Sequence, residues 1–452
     1  MAVHGRSASE AQESASAPAG RSTLKLCLAL ALVATPFAGG SAASAQDHQA
    51  RVARVLKQVP LVDGHNDWPE ALKDHEGDGR WTMDLRDLRS RPTRYNTDIA
   101  RLRRGGAGAI FWSVFVSSAK PGPEQVQETL EQIDLVKSIV ARFPGDFALA
   151  RTAADVRRIH RAGKIASMIG VEGGNQINES LSVLRSYHAL GAGYLTLTHS
   201  RTISWADSAT DRPRHGGLTA FGEKVVRELN RLGMLVDLSH VSPDAMRDAL
   251  RVSKAPVIFS HSNARGLDDH PRNVPDDVLK LVAANGGVVM VSFANPYISD
   301  AYRRWSADRL AERTRLNSPP FDGLFVGQPE REKAAMEAWL QAHPAPKVTI
   351  GEVADHIEHI VKIAGMDHVG IGSDYDGVAQ MLPEGLEDAS TVPALLAELM
   401  RRGWNDADIG KLAGNNLLRA MEGAEKVAAA MAGQAPETGS IGATDQRAPA
   451  GG

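Results

Sequence analysis

Eight short apolar runs recur along the chain, at residues 60–63, 108–116, 165–171, 194–198, 234–238, 256–260, 287–293 and 368–372. They are rich in β-branched residues and do not alternate strictly, which suits strands buried on both faces. Amphipathic stretches separate them. Those at 243–252 and 275–285 open on Pro beside Ser or Asp and continue with apolar residues at helical spacing, so they predict helices. Strand and helix in alternation predict an α/β fold, closed as a (β/α)8 TIM-like barrel or left open as a doubly wound sheet. The polar residues favour the barrel. His65 and Asp67, Glu172, His199, His240, His261 and Asp374 follow six different runs, whereas an open sheet gathers its functional residues at one switch point. The longest connection, 296–350, lies between the seventh and eighth strands. It holds charged helical stretches at 301–315 and 331–341, broken by Pro319-Pro320. It predicts a long helical insertion, serving as a cap over the pocket or a subunit contact.

Composition narrows this picture. The 452 residues are 43% hydrophobic and 23% charged, with a formal net charge of -3. A sizeable core follows, and no basic excess exists for gripping nucleic acid. The length fits one barrel with enlarged loops. Residues 1–45 differ in character: a Ser/Ala-rich start with Arg21 and Lys25, an apolar run at 26–37, and small residues ending Ala43-Ser44-Ala45. This is the layout of a secretory signal peptide with an A-x-A cleavage site, so export is expected. The apolar run falls short of the roughly 20 residues that span a bilayer, and no stable membrane anchor is expected. Cys27, the single cysteine, lies in that leader. A mature chain without disulfides must draw its stability from core burial. The catalytic domain is expected over 46–424. An Ala/Gly/Pro-rich tail over 425–452 is expected to be disordered.

The strand-end residues carry the chemistry. His65-Asn66-Asp67 places two ligand types on one side of an extended backbone. Glu172 ends its strand before Gly173-Gly174, where its two carboxylate oxygens could bridge two cations. His240 and His261 follow matched contexts, Leu238-Ser239-His240 and Phe259-Ser260-His261, on adjacent strands about 4.8 Å apart. A lone strand-end histidine is ordinarily a rim residue. The matched pair with H-x-D and Glu suits two zinc ions. His199 could donate to an oxyanion and Asp374 could relay a proton, with Asp376 as the less favoured neighbour. Arg272, in the loop after the His261 strand, could pair with a substrate carboxylate. His356 and His359 lack the H-E-x-x-H arrangement and read as a polar helix face, as do His160 and His188.

Taken together, several stretches resemble the membrane (renal) dipeptidases, zinc peptidases among the amidohydrolase-like barrels. They are Asp63-Gly64-His65-Asn66-Asp67, Val171-Glu172-Gly173-Gly174, Leu195-Thr196-Leu197-Thr198-His199, Asp237-Leu238-Ser239-His240, Phe259-Ser260-His261-Ser262, Arg272-Asn273 and the run from Gly370 to Gly377. The resemblance covers residues 50–422. It implies two zinc ions per subunit: His65 and Asp67 on one, His240 and His261 on the other, and Glu172 bridging. It further implies dipeptide hydrolysis by a hydroxide held between the ions. His199 would steady the oxyanion, Arg272 would hold the C-terminal carboxylate, and Asp374 would serve the amino end and the transferred proton. Tolerance of a C-terminal D-residue and opening of β-lactam rings both stay open. Mammalian relatives carry a glycolipid anchor and a linking disulfide. This chain resembles instead a bacterial exported form, expected in the periplasm, with a non-covalent homodimer as one assembly open to it.

Two other readings remain at this stage. A related binuclear amidohydrolase, such as an N-acyl amino acid deacylase, would ordinarily use H-x-H on the first strand and a modified lysine bridge, and this chain has neither. A periplasmic peptide-binding protein would have no need of Asp374 or of a bridging carboxylate.

Overall fold

Each of the eight apolar runs overlaps a strand in the computed structural model, which describes residues 40–74, 95–378, 381–439 and 441. The strands are β1 (Leu61–Asn66), β2 (Ala107–Phe115), β3 (Phe147–Leu149), β4 (Ile165–Glu172), β5 (Ala192–Thr196), β6 (Leu235–Asp237), β7 (Ile258–Phe259), β8 (Val288–Val291) and β9 (Val369–Ile371). Eight of them close a parallel barrel. β2 pairs with both β1 and β4, pairing then runs in chain order from β4 to β9, and β9 returns to β1. β3 stands outside this ring, paired only with the start of β4 at Phe147↔Ile165. The sequence pattern did not flag it. It is three residues long with Leu149 exposed, too short and too mixed to register as an apolar run.

The expected burial on both faces is clearest in β4, where all eight residues are buried. Withdrawing each Val, Leu or Ile side chain contributes about 1.5–3 kcal/mol. Close packing also explains a glycine inside an apolar strand. A Cβ at Gly170 would lie 1.9 Å from the Tyr194 ring, so Gly170 makes the room that Tyr194 occupies on the next strand. The crossover helices start where their caps predict. In helix Pro243–Val252 the Ser242 hydroxyl accepts from the Ala245 N–H and Pro243 begins the first turn. Helix Asp276–Asn285 carries two acids against its N-terminal partial charge.

The insertion between the last two strands is helical, as expected, with helices Asn295–Ile298, Asp300–Leu316 and Pro329–Ala342. The two longer helices lean on each other: the Trp305 indole donates to the His343 carbonyl at 2.8 Å, and Trp305 and Trp339 lie 6.4 Å apart.

Two expectations need correction. His356 does not belong to a polar helix face. It is buried, its Nδ1 accepts from the Ala264 N–H, and its Nε2 donates to the Ile298 carbonyl, pinning the loop after β7 to the root of the insertion. The ordered chain does not stop at Ala424 either. Helix Asn416–Met431 continues beyond it, and Glu437 pairs with Arg227 at 2.8 Å while its N–H donates to the buried Glu228. Alanine-rich composition reads as disorder, yet alanine is the best helix former, and this helix packs against the barrel through Leu417, Leu418 and Met421. The leader expected over residues 1–45 lies outside the described residues, apart from the start of helix Gly40–Gln58. Among the described residues no helix is long and apolar enough to cross a membrane.

Candidate active site

At the C-terminal ends of the strands lies a cavity of about 400 Å³. Its lining includes Asp67, Glu172, His199, His240, His261, Arg272 and Asp374, together with Phe115, His270, Tyr297, Val378 and Met381. Of the ligand, catalytic and substrate-binding candidates favoured from sequence, His65 alone is missing from this lining. It sits beneath the floor, 1% exposed.

Glu172 is the hub. His240 Nε2 lies 2.9 Å and His261 Nε2 3.4 Å from its Oε1. His65 Nε2 lies 3.5 Å from its Oε2, and the Ser113 hydroxyl donates to that same oxygen at 3.2 Å. His65 Nε2 is also 3.3 Å from Asp67 Oδ1, the same-side placement that H-x-D predicts. His240 and His261 turn their Nε2 atoms to within 2.9 Å of each other. His199 Nε2 stands off at 3.7 Å from Glu172 Oε1, with its ring 4.3 Å from Phe115 and its Nδ1 2.7 Å from the Ser200 hydroxyl. Asp374 Oδ2 accepts from Ser292 at 3.3 Å. Asp376 points elsewhere, accepting from the Asn96 N–H at 2.6 Å, which anchors the 95–98 segment. Asp374 thus lines the cavity and Asp376 does not.

The backbone bends sharply to aim these groups. His240, Asp374 and Asp376 all have positive φ, at 70°, 64° and 70°. For a residue with a Cβ this costs about 1–3 kcal/mol and persists only where the surroundings hold it. Gly377 serves a related end. A Cβ there would lie 2.3 Å from Asp67 Oδ2 and 2.8 Å from Asp374 Oδ1, so only glycine lets the two acids approach this turn.

The electrostatics follow from burial and crowding. Burial alone would raise Glu172, but the imidazoles of His65, His199 and His240 hold it well below the usual carboxylate range. Burial, with Arg272 nearby, pushes His240 and His261 well down, leaving neutral rings with lone pairs to offer. His65 goes the other way: burial opposes its charge, yet Tyr194, Asp67 and Glu172 raise it well above normal. Asp374 is pushed up to about 7 by burial and then by Asp67. A cation at this place would draw such acids back down.

Three groups of ligand atoms lie within 4.8 Å of one another: His65, Asp67 and Glu172; Glu172, His240 and His261; and His65, His261 and Asp374. Two further observations fit a metal. His65 Nε2 and Asp67 Oδ2 are buried without a hydrogen-bond partner, and two neutral imidazole nitrogens face each other over one carboxylate oxygen. All these donors are imidazole or carboxylate.

Sequence reasoning missed the residues that support this set. Tyr194 OH lies 2.9 Å from His65 Nδ1, and Asp237, the last residue of β6, accepts the Ser260 N–H just past β7 at 2.8 Å. Burial raises the Asp237 carboxyl against the pull of the Ser260 and Thr196 hydroxyls. Gly170 faces Tyr194 only once β4 and β5 pair, so no pattern along the chain signalled Tyr194. The D-L-S-H stretch contained the signal for Asp237. Tyr297, whose position could not be read from sequence, lies beneath Arg272, with the guanidinium 5.3 Å from its ring. Trp68 and Trp112 pack against each other, 5.6 Å apart, in the core.

A closed parallel barrel with imidazoles and carboxylates gathered at its strand ends defines a metal-dependent hydrolase. The family model described as membrane dipeptidase, peptidase family M19, matches residues 49–435. Dipeptidase verJ of Clonostachys rogersoniana is 37% identical over 400 residues, covering 85% of this chain and 89% of that protein. The probable dipeptidase PvdM from Pseudomonas aeruginosa superposes with a TM-score of 0.70 at 26% identity, covering 84% of this chain and 99% of that one. A metallo peptidase from Rhodobacter sphaeroides, liganded with a phosphinate mimic of the dipeptide L-Ala-D-Ala, gives 0.63 at 23% identity, over 81% and 99% of the two chains. The chain belongs to the membrane dipeptidase family, and it is a metallo-dipeptidase.

Proposed function

We propose that this dipeptidase works with two zinc ions, one held by His65, Asp67 and Glu172 and the other by His240, His261 and Glu172. The observation that carries this reading is the orientation of Glu172, whose Oε1 faces His240 and His261 while its Oε2 faces His65. A donor set of imidazoles and carboxylates suits zinc. Bound there, zinc would supply Lewis acidity and a water acidified toward neutral pH.

The remaining work falls to side chains of this chain. Arg272 is buried, and its Nε has no hydrogen-bond partner, so a substrate carboxylate can take that donor. His199 is the most exposed of the cavity histidines around Glu172, and its Nε2 can donate to the oxygen of the scissile carbonyl. Asp374, which lines the cavity with Glu172 and Arg272, can take up a proton and pass it to the departing amine, and its carboxylate form can pair with the substrate ammonium. A dipeptide with both ends free satisfies Arg272 and Asp374 at once. A longer chain would bury one of them unpaired. The dipeptide mimic bound by the Rhodobacter sphaeroides neighbour carries a C-terminal D-alanine, which supports tolerance of that configuration here. The leader pattern at residues 1–45 supports export, with the periplasm as the working compartment.

The test is to strip the protein of metal, restore zinc, and offer L-L and L-D dipeptides, tripeptides and N-acetyl amino acids while measuring released amino acids and bound metal. Zinc-dependent cleavage confined to free dipeptides, at about two zinc per chain, is the expected result. Cleavage of the acylated substrates alone would overturn the reading in favour of a deacylase.

A further inference from the structure

Beneath the ends of β6 and β7 lies a fully buried chain of polar side chains, none of which lines the cavity. Asp237 accepts four hydrogen bonds. Its Oδ1 takes the N–H groups of Ser260 at 2.8 Å and Ser239 at 3.1 Å. Its Oδ2 takes the hydroxyls of Ser260 at 2.6 Å and Thr196 at 2.5 Å. Hydroxyl contacts this short are those of an ionised acceptor. Ser260 has one proton, and Asp237 receives it. The oxygen of Ser260 must then accept from His261 Nδ1, 2.8 Å away. That fixes the His261 tautomer: Nδ1 carries the proton and Nε2 turns a lone pair toward Glu172 and His240.

A second branch leads to the substrate side. Ser239 Oγ accepts the His261 N–H at 3.0 Å and lies 3.1 Å from Ser262 Oγ. Ser262 Oγ accepts from Arg272 Nη1 at 3.2 Å, and Arg272 Nη2 donates to the His261 carbonyl at 3.2 Å. The guanidinium thus hangs from the same buried network as the imidazole.

We propose that Asp237 is a shared positioning residue, orienting the metal-facing imidazole of His261 through Ser260 and the substrate-facing guanidinium of Arg272 through Ser239 and Ser262. This rests on the reading of the site given above. It explains why a carboxylate is buried where no substrate reaches it: metal-ligating histidines are commonly oriented by such a partner on their other nitrogen. Here a serine hydroxyl relays that effect and leaves the carboxylate free to serve a second arm.

The arms can be separated in the full chain with S260A, S262A and D237N. Zinc affinity is measured on the metal-free protein by competition with a chromophoric chelator, alongside its Tm, and KM and kcat are measured with one dipeptide after zinc saturation. S260A should weaken zinc binding by about ten- to a hundredfold with little change in the Tm of the metal-free protein. S262A should raise KM several-fold at nearly constant kcat and bind zinc like the wild type. D237N should do both; where it does not fold, the two serine variants carry the test. S260A binding zinc as tightly as the wild type would overturn the proposal, as would the two serine variants giving one common profile of lowered Tm and kcat. Failure of the wild type to bind zinc would instead refute the metal reading, and this inference with it.

Discussion

At the strand ends His65, Glu172, His240, His261 and Asp374 are all buried, on backbone that is strained at His240 and Asp374. In the insertion, helix Asp300–Leu316 buries only Tyr302 and Leu316, helix Pro329–Ala342 buries nothing, and Phe321 between them is 91% exposed. Both regions are rich in ionisable groups, yet the groups do different things. Insertion pairs such as Arg315–Glu312 are solvated, where water and salt screen an ion pair and leave it little weight in stability. Rim pairs such as His240–Glu172 sit out of water, where each group sets the charge of the next. Ionisable residues therefore mark function here by their burial and convergence, and their number along the chain says little.

Substitutions should grade along that contrast. The largest effect belongs to Glu172→Gln, which removes a charge shared by two donor sets. Activity should fall by more than about a hundredfold with loss of bound metal, read by metal analysis and single-turnover assays. Retention of full metal content would count against the role of Glu172.

Next comes His356, at the junction of the two regions. Burial holds its pKa at about 4, below its ordinary 6.5. Between those values the unfolded chain takes up a proton that the folded one refuses. The stabilisation is complete above pH 6.5 and is lost as pH falls toward 4, by about 3 kcal/mol. Chemical denaturation across pH 4–7 should show the decline, and His356→Gln should flatten it.

Gly377→Ala should cost about a hundredfold in kcat/KM, since displacement of a reacting group by about 1 Å has that scale, while Tm stays nearly constant. Arg272→Lys replaces a planar fork with a point charge and should raise KM roughly tenfold with a smaller change in kcat, read from dipeptide titrations. Phe321→Ser, at the far end of the comparison, should move stability by no more than about 0.5 kcal/mol and leave KM alone. A larger shift would mean that the insertion has a partner in solution.

Much of this was legible in the chain because a parallel barrel couples pattern to place. Strands buried on both faces announce themselves as apolar runs, and the residue that ends a run is carried to the common rim, so His65, Glu172, His240 and His261 could be grouped without coordinates. Their supports could not. Tyr194 and Asp237 sit inside strands, where a polar residue within an apolar run gives no sign of the neighbour it faces. His356 misled for the same reason: its helix periodicity is real, but its ring meets Ala264 and Ile298, segments 92 and 58 residues away.

Sequence alone determined eight barrel strands, the candidate residues at their ends and the family, because these depend on local periodicity and on short motifs. Only the tertiary structure decided the rest: which oxygen of Glu172 faces which imidazole, that Asp374 and not Asp376 enters the cavity, and that one buried aspartate reaches both His261 and Arg272. Those are distances between residues brought together by ring closure, and no periodicity along a chain encodes the distance across a barrel.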